Sequence, residues 1–401
     1  MKTDYDVAVI GAGAAGVAAA SAAADAGARV LLVESSDRLG GTVSAAMHRC
    51  LCGLYSHAPQ SPLDTLNGQT QQDVVAKMAH IDPASVKTRQ MGRAWVLEFS
   101  TSAWETALAE ICCRQNIDRR MNSRVVAVHR DGNRIAAVEI DGPALVDSTT
   151  ASRRPLTCGA LIDCTGAGIV LQMIGGDIAL PPDADRMLGG FSVRLAGLNG
   201  DLELLRLQTP YALTQAASGG ALPREARLTM FHPGPGPGEG ICKLAVNADH
   251  FSADEARRFA TGVVDYLRRE VSGYSTARVV EMSPRPLARD GRRLRGEIVV
   301  TEQNVLEARR HGPDAVHAWW PVERWDVNAG PTYDYPPVGA HYDIPDAALR
   351  SAVAPNLFAA GACLSATAGA AASLRASGIC LATGHAAGRL AGLIVRRVSI
   401  A

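Results

Sequence analysis

Residues 4–34, DYDVAVIGAGAAGVAAASAAADAGARVLLVE, spell a strand, a glycine-rich turn, a helix, a second strand and an acid. Gly11, Gly13 and Gly16 form G-x-G-x-x-G directly after the apolar run VAVI, and the strand ARVLLV ends at Glu34. Gly11 permits the tight turn, Gly13 lets a pyrophosphate approach the backbone, and Gly16 lets the helix pack closely on the sheet. The first helical residues, Ala14 and Ala15, offer free N–H groups and a positive dipole end to phosphate. Glu34 suits ribose hydroxyls and repels a 2′-phosphate. In this strand–turn–helix context the motif is a dinucleotide-binding fingerprint.

At 401 residues the chain exceeds one hydrophobic core, so two domains are expected. Formal charge is zero, which leaves no electrostatic footprint for nucleic acid. The local exception is the run of Arg285, Arg289, Arg292, Arg293 and Arg295. The start shows no signal-peptide pattern, because its first apolar run is already a strand. No apolar stretch reads as a membrane span. The nine cysteines are an odd count with no zinc spacing, so reduced thiols, no metal site and a cytoplasmic setting are the expectation.

Further on, 68–80 reads as a helix and 90–99 as a strand. Ser102-x-x-Glu105 reads as a capping box opening a helix to about Arg114. NSRVVAVHRDGNRIAAVEID reads as a hairpin with an Asp131-Gly132 turn. GALIDCTGAG is a strand entering a glycine turn. From about 181 to 345, strand-like pieces (FSVRLAG, LTMFH, ICKLAVNA) alternate with loops, among them HPGPGPGEG, and one amphipathic helix lies at 253–271. The aromatic stretch 317–337 stands out in a chain with few aromatics. NLFAAG (356–361) is a strand, and a helix follows over about 373–397.

The fingerprint, Glu34, the loop Leu39-Gly40-Gly41-Thr42, Asp163-Cys164-Thr165-Gly166-Ala167-Gly168 and the segment NLFAAGACLSATAGAAASLRASGICLATGHAAG together resemble the glutathione-reductase-type FAD fold. RDGRRLRGEIVVTEQNV, YDIPDAAL and NLFAAGACLSAT further resemble the FAD-dependent oxidoreductase family within that superfamily. The resemblance implies an α/β architecture: a Rossmann-type FAD domain (1–180 and 346–401) with an inserted β-rich substrate domain (181–345). It implies that Gly11, Gly13, Ala14, Ala15, Gly16, Glu34, Ser35 and Arg38 hold the ADP half of FAD. Gly40, Gly41 and Thr42 would pass the pyrophosphate and flavin edge. Val125 would meet the adenine, Thr165 and Gly166 would line the phosphate side, and Gly361 would approach the pyrophosphate. Ser373, Arg375 and Ser377 flank the helix whose N-terminus would face the flavin C2=O. Two positions depart from relatives. Ala362 replaces a ribitol-binding Asp, which passes that contact to Ser365 or Thr367. Gly41 replaces a flavin-linking His, so non-covalent FAD is expected, with His48 and Cys50 as the nearest alternatives for a link.

A single fingerprint implies that the substrate itself, or a transient reductant, reduces the flavin. His48 is the candidate base or anchor, set against a hydrogen-bonded turn histidine. Cys50-x-Cys52 is a redox pair or packed small residues. Arg293, with Arg292 and Arg295, pairs with a substrate carboxylate or with interdomain acids. The aromatics at 319–333 wall a pocket or form a core, and His341 lies where the chain re-enters the FAD domain. The expected function is FAD-dependent oxidation of a small-molecule or peptide substrate by hydride transfer to flavin N5, with electrons passing to O2 or a redox partner. The alternatives are a flavin monooxygenase and a flavoprotein maturation factor that acts on a protein partner.

Overall fold

The computed structural model describes residues 3–58, 60–62, 64–68, 70–143 and 154–400. Its centre is a parallel sheet. The order is Ile117–Arg120, β2 (Val30–Val33), β1 (Tyr5–Ile10), Leu156–Asp163 and Leu357–Ala359, all parallel. Parallel sheets are covered on both faces, which explains the unbroken apolar runs. Along β1, Val7 and Val9 join the core beneath helix α1 (Ala14–Asp25), while Ala8 and Ile10 join a second core on the opposite face. The antiparallel hairpin Arg124–Asp131/Arg134–Asp141 covers that second face and pairs with the strand Leu156–Asp163.

The C-terminal helix Ser377–Ile400 packs against α1. Gly384, Gly388 and Gly392 bring it unusually close. A Cβ on Gly384 would stand 2.1 Å from the Ala15 carbonyl oxygen, and one on Gly388 would stand 2.2 Å from that of Ala19. By length and composition its segment Ser377–Arg396 is long and apolar enough to cross a membrane, contrary to the expectation that no stretch is; 67% of its most apolar window is buried inside the molecule.

A second, antiparallel sheet runs Met230–Pro233, Gly240–Val246, Gly189–Ala196, Arg278–Met282. Helices Leu202–Ser218 and Ala253–Glu270 cover one face and share a separate core with Phe191, Val193, Cys242, Leu244 and Val246. The first of these helices is absent from the sequence reading, because Pro210 sits inside it and Leu204, Leu207 and Tyr211 leave an exposed apolar face that blurs its periodicity.

Three other boundaries differ from expectation. The single strand read at 90–99 is a hairpin, Lys87–Met91 and Ala94–Glu98, that turns at Gly92 with φ +59°. The helix read from Ser102 is capped instead by Ser100, whose hydroxyl accepts from the Ala103 N–H; it ends at Ile111. The C-terminal helix is two, Ala368–Leu374 and Ser377–Ile400, broken at Arg375-Ala376.

Asn356 ties these layers together. It is fully buried, accepts from the Ile135 N–H at 2.9 Å and donates to the carbonyls of Ile135 and Gly159, both at 2.8 Å. Asn356→Ala strands three buried backbone groups, so it should cost about 2–4 kcal/mol in urea unfolding. Asn356→Asp, which turns oxygen toward two carbonyls, should cost no less.

Candidate functional site

The glycine turns converge at the start of α1. Gly40 donates its N–H to the Ala12 carbonyl at 2.8 Å, and Gly13 bridges to Gly40. A Cβ on Gly41 would stand 2.9 Å from the Gly13 Cα. Cys164 donates to the Ile10 carbonyl, so Thr165 and Gly166 lie beside Gly11. Gly361 sits against Ala15 with its N–H on the Thr383 hydroxyl. No side chain caps α1 and no acid lies in its first turn. Its first N–H groups, with Ala14 and Ala15, are therefore left for an anion. Glu34 is 9% exposed and accepts from the Ala12 N–H at 2.8 Å and the Ser36 N–H at 2.9 Å, with Ser35 on the same carboxylate. This shaped, uncapped cradle fits a dinucleotide.

Around it, Arg38 reaches Glu281 of the second sheet at 2.9 Å. Thr42 is exposed and opens a short turn of helix whose next two residues, Val43 and Ser44, are buried. Val125 is buried in the hairpin, just after Ser123, whose N–H donates to the Glu34 carbonyl. Thr165 spends its hydroxyl and N–H on the buried Asp163 carboxylate, which also caps the helix Ile169–Met173 through Val170 and Leu171. Ala362 is half-buried. Two ribitol candidates are already engaged: the buried Ser365 hydroxyl accepts from the Gly296 N–H, and the Thr367 hydroxyl caps the helix Ala368–Leu374. The first turn of the C-terminal helix is engaged as well. Gly378 donates to the Cys52 carbonyl at 2.7 Å, and the Ser377 hydroxyl accepts from the Cys52 N–H. Ser373 is buried and bonds Tyr342 and the Trp320 carbonyl.

The segment after the glycine loop leans on the second sheet. Ser283 donates to the Ala45 carbonyl, Arg49 to the Pro233 carbonyl, and Lys243 Nζ lies 2.9 Å from His48 Nδ1. Lys243 alternates with Cys242 and Leu244, so it leaves the second sheet on the face opposite their core. Burial, then the charges of Lys243 and Arg289, push His48 well below its ordinary pKa; burial also lowers Lys243. His232, one strand over, falls to about 4 for the same reason.

Arg289 and Arg375 complete this cluster. The Arg289 guanidinium lies 4.2 Å over the Trp325 ring and donates to the Leu188 and Gly189 carbonyls. Burial and the nearby Arg375 draw it down to about 9. Arg375 donates to the Glu323 carbonyl at 3.1 Å and stands 3.9 Å from its carboxylate. Glu323 accepts from the indoles of Trp320 at 3.1 Å and Trp325 at 2.6 Å. Burial pushes the Glu323 carboxyl up, but Arg375, the Trp325 indole and Arg289 outweigh it, so its pKa lies below the ordinary value.

Two sequence candidates, Arg293 and Arg292, are bonded elsewhere. Arg293 is 3% exposed, with its guanidinium on the Ala366 and Gly291 carbonyls, and Arg292 pairs with Asp177 at 2.6 Å. The His341 ring lies 4.4 Å from that of His317, tilted at 57°, beside the buried Asp343, which also receives Arg310 and the His311 N–H. Cys50 and Cys52 are free thiols that burial pushes up, which opposes the thiolate needed for disulfide exchange. Lys243 is the residue the sequence reading missed. Its signal was a lone cation inside the apolar strand ICKLAV.

Among solved structures, a geranylgeranyl bacteriochlorophyll reductase-like protein from Thermoplasma acidophilum is similar over 99% of this chain and 79% of its own, at 12% identity and TM-score 0.49. The flavin-dependent brominase Bmp2 is similar over 98% and 79%, at 12% identity and TM-score 0.48. OxyS anhydrotetracycline hydroxylase from Streptomyces rimosus is similar over 73% of this chain, at 17% identity and TM-score 0.45, and the chain spans 54% of its length. No curated protein matches the sequence. The profile described as FAD dependent oxidoreductase matches residues 6–400. The chain belongs to the FAD-dependent oxidoreductase family, whose members are enzymes that use FAD as cofactor.

Proposed function

We propose that this enzyme oxidises an organic substrate held between the glycine-loop segment 41–52 and the second sheet. In this reading, residues 1–180 and 346–401 form a glutathione-reductase-like FAD domain and 181–345 the inserted substrate domain. The observation that carries the reading is the Lys243–His48 contact, which joins the two parts beside the dinucleotide cradle. Gly11, Gly13, Gly16 and Glu34 would hold the ADP half of FAD, and the loop at Gly40-Gly41 would follow its pyrophosphate. FAD supplies a two-electron acceptor that the side chains lack.

The chain's own part is proton and charge placement. A Lys243 ammonium donating to His48 Nδ1 fixes the neutral imidazole with its proton on Nε2. His48 then serves as a hydrogen-bond donor to substrate, which favours the anchor role over that of base. Burial lowers the basicity of Lys243 below that of an ordinary lysine, the direction that eases proton release by an amine. Gly41 offers no side chain for a covalent link, and His48 is engaged by Lys243, which supports non-covalent FAD.

The test is the visible spectrum of the purified protein before and after acid precipitation, followed by anaerobic addition of candidate substrates. Flavin bands released to the supernatant and bleached by a substrate that emerges two hydrogens poorer support the reading. A yellow pellet overturns the non-covalent assignment. A product that has gained an oxygen atom makes the enzyme a monooxygenase. Stable capture of a protein partner without turnover makes it a maturation factor.

A further inference from the structure

The Lys243 ammonium has no carboxylate partner among the described residues; its one recorded hydrogen bond goes to the neutral imidazole of His48. Arg289 gives Nη1 to two carbonyls and lays its guanidinium over an indole face. Arg375 shares the carboxylate of Glu323 at 3.9 Å, and its Nε is buried without a partner. These three cations act on one another: Arg289 on Lys243, and Arg375 on both Arg289 and His48. Against them stands Glu323, already holding two indole N–H groups. The other acid nearby, Asp290, accepts from the Met187 N–H and acts on Arg375, Arg293 and Arg289. Lys243, Arg289, Arg375 and Arg293 outnumber these two carboxylates, and such an excess of partly desolvated cations is unfavourable unless an anion joins them.

We infer that Lys243, Arg289 and Arg375 form an anion subsite, and that the substrate of this enzyme carries a carboxylate that docks there. Three side chains from different parts of the chain supply it: the second sheet, the arginine-rich turn and the break before the C-terminal helix. All three are half-buried rather than sealed, as the walls of a cleft are. Two planar guanidinium groups and an ammonium match a carboxylate in shape as well as charge. His48 lies beside this subsite, so a carboxylate bound there would place the adjoining carbon skeleton next to the Lys243–His48 pair. This assignment rests on the reading of the cleft as the substrate site.

The experiment titrates the FAD-loaded protein with acetate, octanoate and benzoate, and separately with the corresponding amides, and reads the visible difference spectrum. At least one acid should bind at least tenfold more tightly than its amide. Lys243→Met and Arg375→Met should each weaken that acid tenfold or more and leave the amide within threefold, with each titration compared per bound FAD. Arg375→Lys should recover part of the loss, which separates lost charge from lost structure. Equal affinity for acids and amides, no spectral change with any acid, or full acid affinity in both Met variants would overturn the subsite. The redox reading fails on a different result, the absence of any compound that bleaches the flavin, so the two failures are distinguishable.

Discussion

Gly388→Ala should lower the unfolding free energy by about 1–3 kcal/mol, the usual range for overpacking a filled interface. Its new Cβ would lie 2.2 Å from the Ala19 carbonyl oxygen, a backbone atom that cannot swing aside. The helix must therefore move away from α1, and the Ala15, Ala19 and Ala23 contacts along the crossing loosen with it. Gly384→Ala meets the Ala15 carbonyl at 2.1 Å, one turn nearer the glycine loop. It should weaken FAD retention as well, because Ala15 lies in the first turn of α1, which presents the free N–H groups. Gly262→Ala is the opposing control. Gly262 lies inside the helix Ala253–Glu270 with nothing within 4 Å of a new Cβ, so alanine should stabilise by about 0.5–1 kcal/mol. Thermal unfolding with and without added FAD checks all three. A Gly384→Ala protein that melts and binds FAD like the parent would mean that the α1 crossing is looser than its backbone contacts state.

This helix pair also shows what the sequence disclosed and what it withheld. β1, α1 and β2 were legible because a buried parallel unit must be apolar throughout and the turn needs its glycines. The Asp131-Gly132 hairpin was legible from its turn chemistry, and the helix Ala253–Glu270 from its amphipathic periodicity. The glycines at 384, 388 and 392 were visible as letters, but their meaning depends on α1 lying opposite, more than 350 positions earlier in the numbering. The same holds for the site. Glycines that contact a cofactor through local turns announce themselves. Arg293 stood in the stretch that resembles the family, yet its guanidinium is absorbed by carbonyls, while Lys243 stood in an ordinary strand and meets His48 across 195 positions. A side chain's role in a cleft between layers is set by its neighbours in space, which residue spacing does not encode.

Glu323→Gln should destabilise the enzyme at pH 7 by about 2–4 kcal/mol, toward the cost of breaking a buried charge pair. The carboxylate is the counter-charge for Arg375 and Arg289 and the acceptor for two indole N–H groups, and the amide keeps the shape while losing the charge. The pH dependence has a definite sign. A carboxyl whose folded pKa is depressed stabilises fully above its unfolded pKa of about 4.3 and loses that contribution as pH falls through the lower folded value. The gap between parent and Glu323→Gln should therefore be constant near neutrality and close below about pH 4. If the three cations form an anion subsite, the same substitution should also tighten the bound carboxylate, because one competing negative charge has gone. A variant that is less stable alone but gains more from benzoate than the parent does would separate the two roles of Glu323, structural counter-charge and rival of the substrate. Loss of stability with weaker benzoate binding would instead mean that Glu323 positions Arg375 for the anion, and that its indole bonds matter more than its charge.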